Sequence, residues 1–97
     1  MLVYVAHPYQ NLASNKRSVE MIIKELLFRN PSKTYVSPIH TFGFLYLDVS
    51  YSEGMNFCYE LLSKCDSAIF CKGWELSKGC RLEMEYCIEN NVKWEEI

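Results

Sequence analysis

The sequence contains no apolar run close to the roughly 18 residues that a membrane-spanning helix requires. It also has no excess of positive charge, because 10 lysines and arginines are outweighed by 12 aspartates and glutamates. Domains that bind nucleic acid usually carry a basic patch, so we expect neither nucleic acid nor a membrane as a partner. No basic segment precedes the apolar start of the chain, and we therefore expect no signal peptide.

The cysteines lack the spacing that would predict a disulfide framework or a zinc site. Their number, five, is odd, and no C-x-x-C motif occurs. Cys58 and Cys65 are seven residues apart, as are Cys80 and Cys87, and this spacing places both members of a pair on one face of a helix. We interpret these four cysteines and Cys71 as small buried side chains in a reducing cytoplasm, and we expect no metal and no cofactor.

Short apolar runs alternate with segments of helical period along the chain. Its 97 residues, 49% of them hydrophobic, are enough for one domain around a single core. Strands are predicted at residues 2–6, 33–38 and 66–72, and residues 92–97 form either a short last strand or a frayed end. Residues 39–50 are predicted to form a loop with one helical turn. The first predicted helix starts from a cap at Asn11, Ser14 or Asn15 and ends at Asn30. The second runs from a cap at Ser52 to Cys65, and the third from about Gly79 to Asn90.

This order of elements predicts an α/β fold for residues 1–97. Strands that alternate with helices form a mostly parallel sheet, here of four or five strands, with helices on both of its faces. Ligands of such sheets bind beyond the carboxyl ends of the strands. The rule selects three loops as candidate ligand contacts, at residues 6–11, 37–43 and 72–79.

One carboxylate lies on the apolar side of the last predicted helix. At 100° per residue, Cys80, Met84, Cys87 and Ile88 form the apolar stripe of this helix, and Glu83 flanks it. Burying an ionised carboxylate without a partner costs several kcal/mol, on the order of the desolvation penalty of an ion. Glu83 must therefore be paired, be protonated or line a cavity.

The residues around Glu83 allow two interpretations. In the first, Glu83 stabilises the first turn of its helix and pairs with Lys78 or Arg81. In the second, it is a working carboxylate, because Ser77 and Gly79 lie just before the helix at the ligand-binding edge of the sheet. Glycine there allows close approach of a ligand to the backbone, and free N–H groups at a helix start can hold an anionic group.

Three segments in order, VYVAHPY, LLSKCDSAIF and GWELSKGCRLEMEYC, carry a resemblance to a known family. They resemble the nucleoside 2-deoxyribosyltransferase superfamily, and more narrowly a small branch of it that is often phage-encoded. The last segment is the most specific of the three. The resemblance covers nearly the whole chain and implies a single domain over residues 1–97, with a flavodoxin-like or Rossmann-like three-layer sandwich.

The resemblance also implies roles for individual residues. Glu83 is expected to attack the anomeric carbon of a nucleoside, and Tyr4 to position that carboxylate. Ser77 and Gly79 are expected to bind sugar or phosphate. The loop after the first strand is expected to line the pocket for base and sugar with Ala6, His7, Pro8 and Tyr9.

The chain departs from the family pattern at the acid that protonates the leaving base. Catalytic members have an aspartate near the position of the segment GMNFC, where this chain has Asn56, and Asp48 is the nearest acid before it. Both are candidate substrate contacts. His7 and His40 are two loop histidines that could move a proton. Several aromatic side chains could stack on a base or bury a subunit interface; they are Tyr35, Phe42, Phe44, Tyr46 and Tyr51.

The sequence thus predicts a cytoplasmic domain that binds a nucleoside, a nucleotide or a nucleotide-derived small molecule. The resemblance implies cleavage or transfer of an N-glycosidic bond through a glutamate nucleophile, and assembly as a homodimer or a higher homo-oligomer with shared sites. The alternative is a protein that holds a nucleotide signal without turnover, as a sponge or sensor would in phage–host conflict. The absence of an evident acid favours this alternative.

Overall fold

The computed structural model describes all 97 residues as one parallel sheet with helices on both faces. The strands lie in the order β2-β1-β3-β4, and every neighbouring pair is parallel. The predicted α/β three-layer class is confirmed, with four strands. The elements are β1 (Leu2–Ala6), α1 (Ala13–Arg29), β2 (Thr34–Val36), α2 (Pro38–Phe42), α3 (Tyr51–Ser63), β3 (Ser67–Phe70), α4 (Lys78–Glu89) and β4 (Lys93–Glu96), with 3-10 turns at Gly43–Leu45 and Trp74–Leu76.

The two faces of the sheet are covered by different helices because side chains alternate along each strand. Tyr4 and Phe70 face α3 and α4 and pack with Leu62 of α3 in the larger core. Val5 faces the opposite side and packs with Val19 of α1. Fully burying a side chain such as that of Leu62 stabilises the fold by about 2 kcal/mol. The change of face occurs between β1 and β3, which is where ligands of this fold class bind.

The start of α1 differs from the prediction. None of the three proposed caps is used: the helix follows Leu12, which makes no side-chain capping hydrogen bond. Gln10 and Asn11 have φ of 51° and 55° and form a left-handed turn that directs the chain into the helix. The Asn15 side chain donates to the carbonyl oxygen of Tyr9 at 2.8 Å and so fastens this turn. The Asn15 side chain thus holds the loop through its NH2 group and does not cap α1.

The prediction for residues 39–50 was wrong in part, because this segment is more helical than expected. Ser37 caps α2 and Pro38 occupies its first turn, a position where the missing N–H of proline is no loss. The cap of α3 is Ser50 and not Ser52: the Ser50 side chain accepts from the Glu53 N–H, and the Glu53 carboxylate accepts from the Ser50 N–H. The spacing S-x-x-E signals this reciprocal cap, and Ser52 has no acid three residues later.

The remaining predicted elements form with small shifts of their ends. The first helix ends at Arg29 before Asn30 and Pro31, and α4 begins one residue earlier than predicted. The last predicted segment forms a strand, β4, which pairs with β3, so the alternative of a frayed end is wrong. Ile88 was wrongly placed in the core, because its side chain is 60% exposed. No helix is both long and apolar enough to cross a membrane.

Candidate active site

A tyrosine of the central strand and a glutamate of α4 meet inside the larger core. The Tyr4 hydroxyl donates a hydrogen bond to Oε2 of Glu83, although the two residues are 79 apart in the chain. Tyr4 is fully buried and Glu83 is 5% exposed. Glu83 forms no ion pair with Lys78 or Arg81, since the ion pairs of the molecule lie elsewhere. The interpretation of Glu83 as a paired first-turn residue is therefore wrong.

Burial changes the acidity of both partners. Desolvation raises the pKa of Glu83 from 4.5 to about 7, although hydrogen bonds from Tyr4 and the Cys80 thiol act in the opposite direction. Burial, followed by the nearby Glu83 charge, raises the pKa of Tyr4 well above 10.0. Tyr4 therefore stays protonated, and its O–H group donates a hydrogen bond to the carboxylate. Near neutral pH, Glu83 exists both as the acid and as the ion, which suits a group that takes part in chemistry.

Glu83 lines a cavity with a volume of about 460 Å³. The cavity lies at the carboxyl ends of β1 and β2, and its other walls come from α2, the 3-10 turn after it, and the first two turns of α3 and α4. Just over half of its lining residues are hydrophobic, and Glu83 is its only aspartate or glutamate. A volume in the range of roughly 300–1,000 Å³ with few polar groups is typical of small-molecule sites.

The start of α4 has a more structural role than the sequence predicted. The Ser77 hydroxyl accepts from the Cys80 N–H at 3.3 Å and so caps the helix, while the residue also lines the cavity. Gly79 lines the cavity beneath Tyr51: a Cβ added to Gly79 would lie 3.3 Å from the Tyr51 hydroxyl. The Lys78 ammonium lies 5.0 Å from the centre of the Tyr51 ring. Gly79 thus makes room for a side chain, and not only for a ligand.

The loop after β1 contributes two of its four predicted contacts. His7 and Tyr9 line the cavity, whereas Ala6 is buried beneath it in the core and Pro8 is not a lining residue. His7 Nδ1 is 2.7 Å from the Pro8 carbonyl oxygen, which can only accept, so this nitrogen carries a proton. Its Nε2 is 3.0 Å from the Ser18 hydroxyl of α1. The two contacts fix the orientation of the imidazole at the cavity.

Two other candidate contacts do not reach this cavity. Asn56 is exposed on α3 and does not line it, because the neighbours Met55 and Phe57 occupy the inward and rim positions of that turn. Asp48 lines a second cavity next to the first. The structure thus brings no second carboxylate to Glu83. His40 also lies at the second cavity, where its Nε2 is 2.6 Å from the Glu20 carboxylate.

Aromatic side chains form much of the cavity wall. Tyr9 and Tyr46 meet edge to face with ring centres 5.4 Å apart, and Phe42 lies 5.7 Å from Phe57. Tyr51 completes the set, whereas the other two aromatic candidates do not line this cavity. No sequence signal singled out Phe57, because it lies off the apolar stripe of α3 and is 37% exposed. Its position follows from α2 packing across the start of α3.

Cysteine and histidine do not combine with acids into a metal site. No group of three or more histidine, cysteine, aspartate or glutamate side chains is arranged to hold a metal ion. All five cysteines are free, and Cys58 and Cys80 line the cavity beside Glu83. Burial, with the Glu83 charge as the next cause, raises the pKa of both thiols to about 12. At neutral pH they are protonated and therefore poor nucleophiles.

Comparison with known families gives one match. Comparison with curated proteins and with solved structures gives none. The matching family model covers residues 1–93, which include both members of the Tyr4–Glu83 pair and every residue that lines the cavity. The chain therefore belongs to the family described as a domain of unknown function, DUF4406.

Proposed function

We propose that this protein binds a nucleoside or nucleotide in the cavity that Glu83 lines and cleaves or transfers its N-glycosidic bond. The observation that carries the proposal is the buried Tyr4–Glu83 pair, placed at the ligand-binding edge of the sheet. A carboxylate held by a tyrosine at this edge is the arrangement that the resemblance to nucleoside 2-deoxyribosyltransferases implies.

The cavity suits a ligand that is planar at one end and polar at the other. The aromatic wall, with Tyr9, Phe42 and Tyr46, can stack on a base, since every base has a π-face. Glu83 and the start of α4 with Ser77 also line the cavity. A nucleoside that stacks its base on the aromatic wall can present its sugar to Glu83.

Glu83 has the properties that a glycosidic nucleophile needs. As the ion, one carboxylate oxygen attacks the anomeric carbon, the C–N bond breaks, and its electron pair leaves with the base. The product is a sugar ester of Glu83, which water or a second base then resolves. Tyr4 orients the carboxylate through its hydrogen bond. Because Glu83 has a pKa of about 7, we expect the rate of attack to rise with pH through that value.

The departing base needs a proton, and no second carboxylate lines the cavity to give it. His7 lines the cavity and its Nδ1 carries a proton, which the Pro8 carbonyl oxygen accepts; to protonate the departing base, the imidazole must leave that contact. The thiols of Cys58 and Cys80 hold their protons too tightly, with pKa values of about 12. His7 is therefore the proposed donor.

The single carboxylate also supports a second candidate function, retention of a nucleotide signal without turnover. Glycosidases generally use a pair of carboxylic acids, one as nucleophile and one as acid. With Glu83 alone in the cavity, a bound ligand could remain intact. Such a protein would act as a sponge or sensor.

One experiment separates these functions. The purified protein is incubated with the common ribonucleosides, 2-deoxyribonucleosides and their phosphates, and bound ligand and free base are then quantified by chromatography. Free base supports the enzyme, and intact ligand released only on denaturation supports the sponge. If no member of the panel binds or raises the melting temperature, both functions are contradicted, because a ligand at 100 times its Kd should add about 2.7 kcal/mol.

Three large apolar side chains, Phe44, Leu47 and Leu76, are each more than 75% exposed; the first two line the second cavity, and Leu76 precedes the lining residue Ser77. We propose that they are covered in a homodimer or a higher homo-oligomer, which light scattering tests. The five free thiols support a reducing compartment, and we place the protein in the cytoplasm.

A further inference from the structure

The Tyr51 hydroxyl is a polar group of the cavity wall that no other part of the protein uses. Two serine hydroxyls of the same wall already accept hydrogen bonds from helix N–H groups, Ser50 from Glu53 and Ser77 from Cys80. Tyr51 lines the cavity as well, and its hydroxyl forms no hydrogen bond within the protein. The group is therefore available to a ligand, although it has no part in the proposed bond cleavage.

The position of this hydroxyl relative to Glu83 follows from α4. A Cβ added to Gly79 would lie 3.3 Å from the Tyr51 hydroxyl oxygen. Gly79 and Glu83 are four residues apart in α4, so their Cβ positions share one face of the helix and are about 5–6 Å apart. Helical side chains also lean toward the N-terminus of their helix, which is toward Gly79. The Tyr51 hydroxyl and the Glu83 side chain are thus neighbours across one helical turn.

Local contacts hold the Tyr51 ring in this place. Tyr51 is the first residue of α3, and the reciprocal cap between Ser50 and Glu53 fixes the backbone there. The Lys78 ammonium lies 5.0 Å from the centre of the ring. Gly79 leaves the space that the hydroxyl occupies. The orientation of the hydroxyl is therefore built into the starts of two helices.

The Tyr51 hydroxyl is drawn away from water, although the side chain as a whole is 51% exposed. Desolvation by burial, followed by the Glu83 charge, raises the pKa of Tyr51 above 10.0. The hydroxyl consequently stays protonated at neutral pH. In that form it can both donate and accept a hydrogen bond, as a sugar hydroxyl can.

A substrate of Glu83 must bring its sugar to this turn of α4. The carboxylate attacks the anomeric carbon, which is a ring atom of the sugar, so the groups nearest to Glu83 face the sugar. Three side chains of the surrounding wall, Met55, Cys58 and Cys80, offer only the weak hydrogen bonds of sulfur. Tyr51 offers a strong hydrogen-bonding group at the same place.

We propose that the Tyr51 hydroxyl forms a hydrogen bond with a hydroxyl group of the sugar that lies at Glu83. Tyr51 is then a specificity-determining contact, because it favours a ligand with a hydroxyl at that position of the sugar over one without it. A side chain larger than that of Gly79 would displace this contact. The inference rests on the proposed nucleoside site, and it holds whether the ligand is cleaved or retained.

The test measures sugar recognition by calorimetry at pH 5, where Glu83, with a pKa of about 7, is mostly protonated and does not attack. The ligands are the nucleoside that binds most tightly and analogues of it that each lack one sugar hydroxyl. We expect Tyr51→Phe to bind the parent nucleoside about fivefold more weakly, which corresponds to one neutral hydrogen bond. For the analogue without the contacted hydroxyl, the native protein and Tyr51→Phe should bind equally, and the other analogues should keep the difference.

Tyr59→Phe is the matched control for the loss of a hydroxyl. Tyr59 lies on the same helix, stacks on Tyr86 and does not line the cavity. This variant should bind every ligand as the native protein does. Both substitutions keep the aromatic ring, so we expect the fold to persist, and unchanged melting temperatures check this.

Two outcomes would overturn the inference while the proposed function stands. In one, Tyr51→Phe binds the parent nucleoside as tightly as the native protein does. In the other, the fivefold loss persists with every analogue, which would mean that the hydroxyl contacts the base or acts through the shape of the cavity. If no nucleoside binds, the proposed function is contradicted and the inference falls with it.

Discussion

Glu83 combines nearly complete burial with a partner, Tyr4, that carries no charge. A buried carboxylate without a cation is an unfavourable choice for stability, because desolvation penalises the charged form. A glutamine could accept the same hydrogen bond from Tyr4 without that penalty. At the scale of the residue, the pair is therefore better explained by chemistry than by folding.

The pH dependence of stability tests this view of Glu83. Its pKa is raised from 4.5 to about 7 in the folded protein, so the unfolded chain releases the proton first as pH rises. Stability is thus fully present below about pH 4.5 and falls toward pH 7, by on the order of 3 kcal/mol for a shift of this size. Glu83→Gln removes this loss.

We therefore expect Glu83→Gln to unfold at a higher urea concentration than the native protein at pH 8, and to match it closely at pH 4.5. Urea unfolding at the two pH values measures the difference. Glu85→Gln is the control, because Glu85 is exposed on the same helix and should show no such dependence. A variant that is less stable than the native protein at pH 8 would mean that the ionised carboxylate stabilises the fold.

At the scale of the element, the first turn of α4 determines the shape of the cavity beside Glu83. Gly79 lies under Tyr51, and the distance of 3.3 Å between an added Cβ and the Tyr51 hydroxyl is tighter than ordinary contact. Tyr51 is 51% exposed, so it can move aside without disturbing the core. Gly79→Ala should therefore lower ligand affinity more than it changes the melting temperature.

A second substitution isolates this contact. Tyr51→Phe removes the hydroxyl that an added Cβ would meet, and the next nearest atom, the Met55 sulfur, lies 3.7 Å away. Gly79→Ala should therefore cost little affinity in the Tyr51→Phe background, and a double-mutant cycle of nucleoside affinity measures the coupling. Equal losses in both backgrounds would show that Gly79 acts by direct approach to the ligand and not through Tyr51.

The order of elements could be predicted from the sequence, whereas several of their boundaries could not. Period and composition placed the strands and three of the helices, because those elements bury one clear stripe or run. The short α2 begins at the Ser37-Pro38 signal, and its two buried residues, Pro38 and Ile39, are adjacent in sequence and form no helical stripe, so periodicity missed it. The start of α1 depends on a left-handed turn at Gln10 and Asn11, which follows from tertiary contacts of the loop.

At the scale of the whole molecule, the parallel sheet explains why residues from the two ends of the chain meet. The strand order places β1 next to β3, and α4 follows β3 on the face that Tyr4 occupies. Apolar spacing singled out Glu83, and the resemblance paired it with Tyr4. The second cavity could not be predicted, because its lining combines Tyr9 and Asn11 after β1 and Lys16 of α1 with the segment that was predicted to be a loop.

Whether Glu83 carries out bond cleavage is tested by comparing base release by the native protein with base release by Glu83→Gln. Both proteins are given the nucleoside or nucleotide that binds most tightly, and the free base and the Kd are measured together at pH 8, where Glu83 is mostly ionised.

We predict that the native protein releases base, that Glu83→Gln releases none, and that the two Kd values agree within about threefold, or roughly 0.7 kcal/mol. Tyr4→Phe should retain part of the rate, because it orients the nucleophile without being one. Base release that persists in Glu83→Gln would contradict the assignment of the nucleophile. A native protein that binds its ligand tightly and releases no base would contradict catalysis itself.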